Sequence, residues 1–155
     1  MANWRARGGW WVVGQFVLLG LVAFLPRRGA RWPRVLVWGA RLVALPALGV
    51  GGWLVASAPD ALGDNLTPFP RPRPTATLVR EGIYAEVRHP IYGGFMLLAL
   101  GWALLTANTL RLGVVGALVA LFRAKARREE IWLTERFAEY AAYQEEVPRF
   151  LPNPW

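Results

Sequence analysis

Gly82-Ile-Tyr-Ala-Glu-Val-Arg-His-Pro-Ile-Tyr-Gly-Gly94 is the stretch on which the reading of this chain turns. It holds the only histidine of the protein, and it stands directly before a charge-free run, Ile91 to Thr106, long enough to enter a bilayer. Pro90 suits the first turn of a helix, where its missing N–H would be an orphan in any case, and it pushes His89 out of helical geometry. His89 then faces a helix N-terminus, where backbone donors and the positive dipole end favour an anionic or zwitterionic guest.

Working outward, the chain has 155 residues, 55% of them hydrophobic, with nine tryptophans, a composition outside the range of most soluble domains. The expectation is a small all-α polytopic membrane protein forming a single membrane domain. A formal charge of +8 raises nucleic acid as a partner, but the basic residues cluster between apolar runs and do not line one helix or patch, which argues against it. With no cysteine there is no disulfide, thiolate nucleophile or Cys-ligated metal, and one histidine with few nearby carboxylates argues against zinc. No obligate protein partner is evident.

About four spans are expected. Residues 9–25 are apolar except for Gln15, and the run ends in Leu-Pro-Arg-Arg, not in a small-x-small cleavage site. As a helix it is ~25 Å long, short but able to span. A second span covers 35–57, with Arg41 snorkelling, a kink at Pro46, and Gly49, Gly51, Gly52 and Ala56 letting a neighbour approach. Trp10, Trp11, Trp32, Trp38 and Trp53 lie near span ends as interfacial anchors. Residues 59–90 read as a cytoplasmic strap, because Pro68, Pro70, Pro72 and Pro74 at alternate positions force extended backbone.

Spans three and four, 91–106 and 109–123, are separated only by Ala107-Asn108 and are expected to form a tight hairpin. Its open ends then emerge on one side of the membrane. After them, residues 125–147 read as an amphipathic cytoplasmic helix folding back over the surface, ended by Pro148, with Phe150 and Trp155 of the tail tucked against the interface. Lys and Arg in the short flanks favour both termini inside, with Arg27, Arg28, Arg31, Arg34 and Arg111 on the outer side as the opposing count.

The residue types permit specific chemistry. Tyr84 and Tyr92 can hold a cation or stack on a purine. Glu129 or Glu130 can take an ammonium or ribose hydroxyls, and Arg88 or Lys125 can fix a carboxylate. That inventory suits a zwitterionic, nucleotide-like cofactor; it also suits salt-bridged helix ends with no ligand.

Order and spacing add to this. Leu78-Val79-x-x-Gly82-x-Tyr84-x-x-Val87-Arg88-His89-Pro90-x-Tyr92-x-Gly94, followed by Glu129-Glu130-x-x-Leu133-x-x-x-Phe137-x-x-Tyr140-x-x-Tyr143-x-x-x-Val147-x-Arg149-x-x-Pro152, resembles the isoprenylcysteine carboxyl methyltransferase family and its bacterial relatives. The resemblance covers about residues 62 to 152. It implies an integral enzyme of the bacterial inner membrane, its active site facing the cytoplasm, that moves a methyl group from S-adenosylmethionine to a lipophilic small-molecule acceptor arriving from the lipid bilayer. The family's cofactor contacts fall on Ala76, Thr77, Leu78, Val79, Tyr84, His89, Pro90, Ile91, Tyr92 and Glu129, with no metal.

The basic residue used near the acceptor carboxylate falls on Lys125, where the eukaryotic pattern has Arg, and Lys gives up bidentate geometry. This leaves open whether Arg127 or Arg128 compensates or whether the acceptor is a thiol or amine; a thiol or amine must lose a proton, and His89 or Glu130 are then the candidate bases. Two other readings remain: an NADPH-dependent membrane reductase of the sterol reductase type, which shares Arg-His-Pro but typically carries Asn at the Ile91 position, and a non-catalytic scaffold on a methyltransferase-like frame.

Overall fold

The computed structural model describes residues 2–26 and 32–152, which are helical with no strands among them. Arg27, Arg28 and Arg31, counted above toward the outer side, and Trp155 lie outside the described residues. A short α1 (Ala2–Ala6) leads into α2 (Gly9–Phe24). Next comes α3 (Arg34–Leu62), with Pro46 and Pro59 inside it and a 3-10 turn, Gly63–Asn65, behind it. Arg34–Asn65 is the one run among the described residues long and apolar enough to cross a membrane by length and composition; Gly9–Phe24 and Pro90–Leu105 are shorter apolar helices.

The strap differs from expectation at both ends. Its first residues, through Leu62, belong to the last turns of α3, and within it Ile83–Glu86 winds into one helical turn, α4. Only the proline-rich middle is irregular, as alternate prolines require. From Pro90, α5 (Pro90–Leu105) begins with the proline in its first turn and His89 as a non-helical cap at φ −127°, ψ 63°.

After three intervening residues α6 (Thr109–Arg136) starts, its first turn capped by the Asn108 side chain, which accepts from Leu110 and Arg111 N–H at 3.1 and 3.3 Å. The expected separate helix over 125–147 is not formed. Between Arg123 and Arg136 there is no Gly or Pro, and Ala, Arg, Lys, Glu and Leu predominate, so α6 continues unbroken and stops at an extended Phe137. The remainder is a short α7 (Tyr140–Glu146) before Pro148.

Side-chain size decides how these helices meet. A Cβ on Gly94 would stand 2.7 Å from the Gly51 carbonyl oxygen and 2.6 Å from Val55, and one on Gly101 would meet Leu48 at 2.7 Å, so α3 and α5 are in near-backbone contact. Of the small residues expected to permit this, only Gly51 does; Gly49 and Gly52 face open space and Ala56 is exposed. On the other side, α6 receives α2 at Gly14 and receives α5 through the stacked rings of Tyr92 and Phe122, 5.0 Å apart. Val22, Ala99, Ala103, Val115, Leu118 and Phe122 form the core between them.

Arg111, assigned to the outer flank, is buried. Its guanidinium donates to Thr106 Oγ1 and to the carbonyls of Ala23 and Leu25, closing the C-terminal end of α2. Conversely, Phe16, Val17 and Leu21 of α2 and Leu42, Val43 and Leu45 of α3 are exposed apolar side chains.

The glycine contact makes a sharp expectation. Gly94→Val forces α3 away from α5 and should cost about 1–3 kcal/mol or more. Gly113, with nothing within 4 Å of its Cβ position, should tolerate Ala or gain slightly. Thermal unfolding of the two variants in detergent checks this; equal midpoints would contradict the close approach.

Candidate active site

The site forms where α5 begins. Backbone N–H groups of Arg88 and His89 donate to the carbonyls of Pro148 and Arg149, both at 2.9 Å, so the tail lies along the Arg-His-Pro stretch. A Cβ on Gly93 would sit 1.9 Å from the Phe150 carbonyl oxygen, and only glycine admits the tail there.

Glu130 gathers these two segments. Arg149 grips its carboxylate with two bonds, Nε at 3.0 Å and Nη2 at 2.6 Å, and Arg88 Nη2 reaches Oε1 at 3.0 Å. His89 Nε2 stands 3.2 Å from Oε1; because the ionised carboxylate only accepts, that nitrogen carries the hydrogen. Arg88 also donates to the carbonyls of Gln144 and Val147. Burial alone would push the Glu130 carboxyl up, but the bonds from His89 and Arg149 and the Arg88 charge hold it down at about 2.

Glu129, one residue earlier, meets different surroundings. Tyr92 Oη donates to its Oε2 at 2.7 Å, and removal from water raises its carboxyl above the usual range, against the pull of His89, the Tyr92 hydroxyl and Lys125. The Tyr92 ring lies between His89, stacked at 5.3 Å, and Phe122. Lys125 Nζ sits 4.9 Å from the same ring and donates to the carbonyl of Pro68 at 2.9 Å and to Gln15 Oε1. Its burial lowers the ammonium pKa to about 8, with Glu129 opposing.

These groups border a cavity of about 360 Å³, at the small end of the ~300–1,000 Å³ typical of small-molecule sites. Every residue assigned above to a cofactor lies on its wall: Ala76, Thr77, Leu78 and Val79 from the strap, Tyr84, His89, Pro90, Ile91 and Tyr92 around the helix start, and Glu129 from α6. Lys125 and Arg88 border it too, though the Arg88 guanidinium is engaged by Glu130 and two carbonyls. Glu130 does not border it. Both of its carboxylate oxygens are engaged, each by Arg149 and Oε1 also by Arg88 and His89.

The sequence reading gave no role to several residues here. Arg149 was part of the quoted pattern without a function. Gln15 was visible as the one polar residue of an apolar run, a signal in its own right in a membrane-length segment. Tyr140 and Tyr143 were read as surface-helix positions and instead close the cavity, Tyr143 Oη donating to the Tyr84 carbonyl at 2.5 Å.

The phospholipid methyltransferase family profile matches residues 40–140, which hold every cofactor-assigned position. This chain belongs to that family. Among its relatives, the protein-S-isoprenylcysteine O-methyltransferase of Mus musculus is 41% identical over 81 residues, 50% of this chain and 28% of that protein. The Schizosaccharomyces pombe enzyme of the same name is 40% identical over 79 residues, 48% of this chain and 33% of its own length. The cobalt-zinc-cadmium resistance protein CzcN of Cupriavidus metallidurans is 32% identical over 147 residues, 94% of this chain and 63% of CzcN. The chain thus spans about a third or less of the two isoprenylcysteine enzymes.

Replacing Glu130 by Gln leaves the Arg88 guanidinium, 7% exposed, without its counter-charge and should cost about 3–5 kcal/mol. The pH dependence follows from the sign of the shift. With a folded value of about 2 below an unfolded ~4.3, the stabilisation is complete above ~4.3 and is lost as pH falls toward 2. Unfolding midpoints in detergent at about pH 7 and about pH 3 should fall steeply for wild type and less for Glu130→Gln.

Proposed function

We propose that this protein transfers a methyl group from S-adenosylmethionine to a lipophilic acceptor that enters from the bilayer. What carries the proposal is the convergence of all the strap, helix-start and α6 residues assigned to the cofactor on one cavity wall. The family match supports it, and so do the names of the mouse and fission-yeast relatives, which are O-methyltransferases of isoprenylcysteine.

The cavity's chemistry fits such a cofactor. Among the described residues no Lys, Arg or His side chain is ion-paired with Glu129, so a part-buried carboxylate bonded only to the Tyr92 hydroxyl is free to receive an ammonium or ribose hydroxyls. Leu78 and Val79 line the wall outside any regular element, and among the described residues their backbone N–H groups have no protein acceptor, which leaves them for a guest. Tyr84 supplies an aromatic face for a cation or a purine, whereas the Tyr92 ring is already stacked between His89 and Phe122 and contributes its hydroxyl on Glu129.

When bound, S-adenosylmethionine supplies a methyl group on a positively charged sulfur, which an acceptor atom takes as the carbon–sulfur bond breaks with its electron pair staying on sulfur. The protein's part is alignment and exclusion of water. Glu129 and Tyr92 orient the cofactor from α6 and α5, and the strap covers it, tied down by Lys125 to Pro68, by Arg136 to Pro74, and by Asn65 to Thr77. Lys125 addresses the head group of the acceptor.

The proposed topology is four spans, 9–25, 35–57, 91–106 and 109–123, with the third and fourth a hairpin and the exposed apolar faces of α2 and α3 in lipid. It puts the cavity and both termini on the cytoplasmic side, where the cofactor is made. Reporter fusions after Trp155 and within residues 27–34 test it, and a periplasmic C-terminus would overturn it.

Calorimetry with S-adenosylhomocysteine on the detergent-solubilised protein tests the cofactor. Binding is expected in the wild type, weakened on the order of 10- to 100-fold by Glu129→Gln through loss of a charged partner. Tyr92→Phe should weaken it less. NADPH should not bind; NADPH binding without S-adenosylhomocysteine binding would reverse the assignment toward a reductase.

A further inference from the structure

Resting on the methyl-transfer reading of the cavity, we infer that Gln15 is a specificity-determining residue that presents its side-chain amide hydrogens to the acceptor's head group. Gln15 lies in α2, outside the family match at residues 40–140, so nothing in that match assigns it a role. It is 7% exposed, yet it borders the cavity.

Its orientation is fixed by chemistry. Lys125 Nζ can only donate, so the atom of Gln15 that faces it must be Oε1, and the NH₂ group is turned elsewhere. Among the described residues no acceptor meets that NH₂. Nor is it sealed in: among those residues Arg111 Nε is the only fully enclosed side-chain polar atom without a partner, so Gln15 Nε2 keeps open surface. An unanswered amide at this depth is costly unless a guest or water takes its hydrogens.

Lys125 points the same way. Of its three hydrogens one goes to Gln15 Oε1 and one to the Pro68 carbonyl, leaving one. The amide and the ammonium together therefore offer donors and no acceptor, beside the apolar walls of Phe16 and Phe95. The head group that suits them accepts hydrogen bonds and gives none, as a carboxylate does. A thiol or amine would bring a hydrogen that neither the Gln15 amide nitrogen nor the Lys125 ammonium accepts.

Gln15→Glu separates this role from a structural one. A carboxylate still accepts from Lys125 and keeps it in place, but it removes the amide donors and repels an acid. The assay uses the full chain, radiolabelled S-adenosylmethionine, and three probes: N-acetyl-S-farnesylcysteine, dodecanethiol and phosphatidylethanolamine. Wild type should methylate the acid in preference. Gln15→Glu should lower kcat/KM for the acid on the order of 10- to 100-fold, mainly through KM, while S-adenosylhomocysteine affinity stays within about twofold. Gln15→Asn, which keeps the amide, should retain more of the preference for the acid and serves if the Glu variant fails to fold.

An unchanged acid-to-thiol ratio in Gln15→Glu overturns the inference, and so does a parallel loss of cofactor binding and all transfer. Wild-type transfer to the thiol or the amine alone overturns it and leaves the methyl-transfer reading standing. Wild type that neither binds S-adenosylhomocysteine nor transfers to any probe removes that reading, and this inference with it.

Discussion

Glu130 holds three distant stretches of the chain in one place. A carboxylate 5% exposed is costly to desolvate, and it is tolerated here because Arg149 meets it with two bonds while Arg88 and His89 complete its shell. Those partners come from the loop before α5 and from the tail, so satisfying one side chain of α6 fixes where both must lie. The start of α5 and the backbone pairing of residues 88–89 with 148–149 follow from it.

The adjacent carboxylate then has its environment decided by helix geometry. Successive residues of a helix point about 100° apart, so with Glu130 turned to the guanidiniums, Glu129 is turned to the cavity. One acid is held down to about 2, against its burial, by bonds from His89 and Arg149, while its neighbour is driven up by removal from water. The unbroken course of α6 matters as much, because Lys125, Glu129 and Leu133 fall at helical spacing on one stiff face. Had the chain bent at Lys125, these positions would not share a wall.

The sequence displayed some of this openly. Proline after histidine sets a helix start by covalent geometry, and the walls of the cavity could be named through the resemblance to the isoprenylcysteine carboxyl methyltransferase pattern. The continuity of α6 was harder to see, since a change from apolar to charged composition resembles a boundary although only a Gly or Pro would have broken the backbone. Which glycine meets α5 was not legible either: Gly49, Gly51 and Gly52 are chemically alike, and only the facing helix distinguishes them. Arg111 counted as a loop charge until the carbonyl end of α2 was seen above it. Gln15 was conspicuous, but its partner lies across the bundle.

The tail's passage over Gly93 sets an order of events in biogenesis. Ribosomes emit residues 148–150 after α5 and α6, so while those helices are being made the backbone of Arg88 and His89 is unpaired and Glu130 lacks Arg149. The nascent chain is thus incomplete at the mouth of its cavity until that segment clears the exit tunnel. A translational stall or frameshift upstream of it would leave a set of helices whose cavity had never closed.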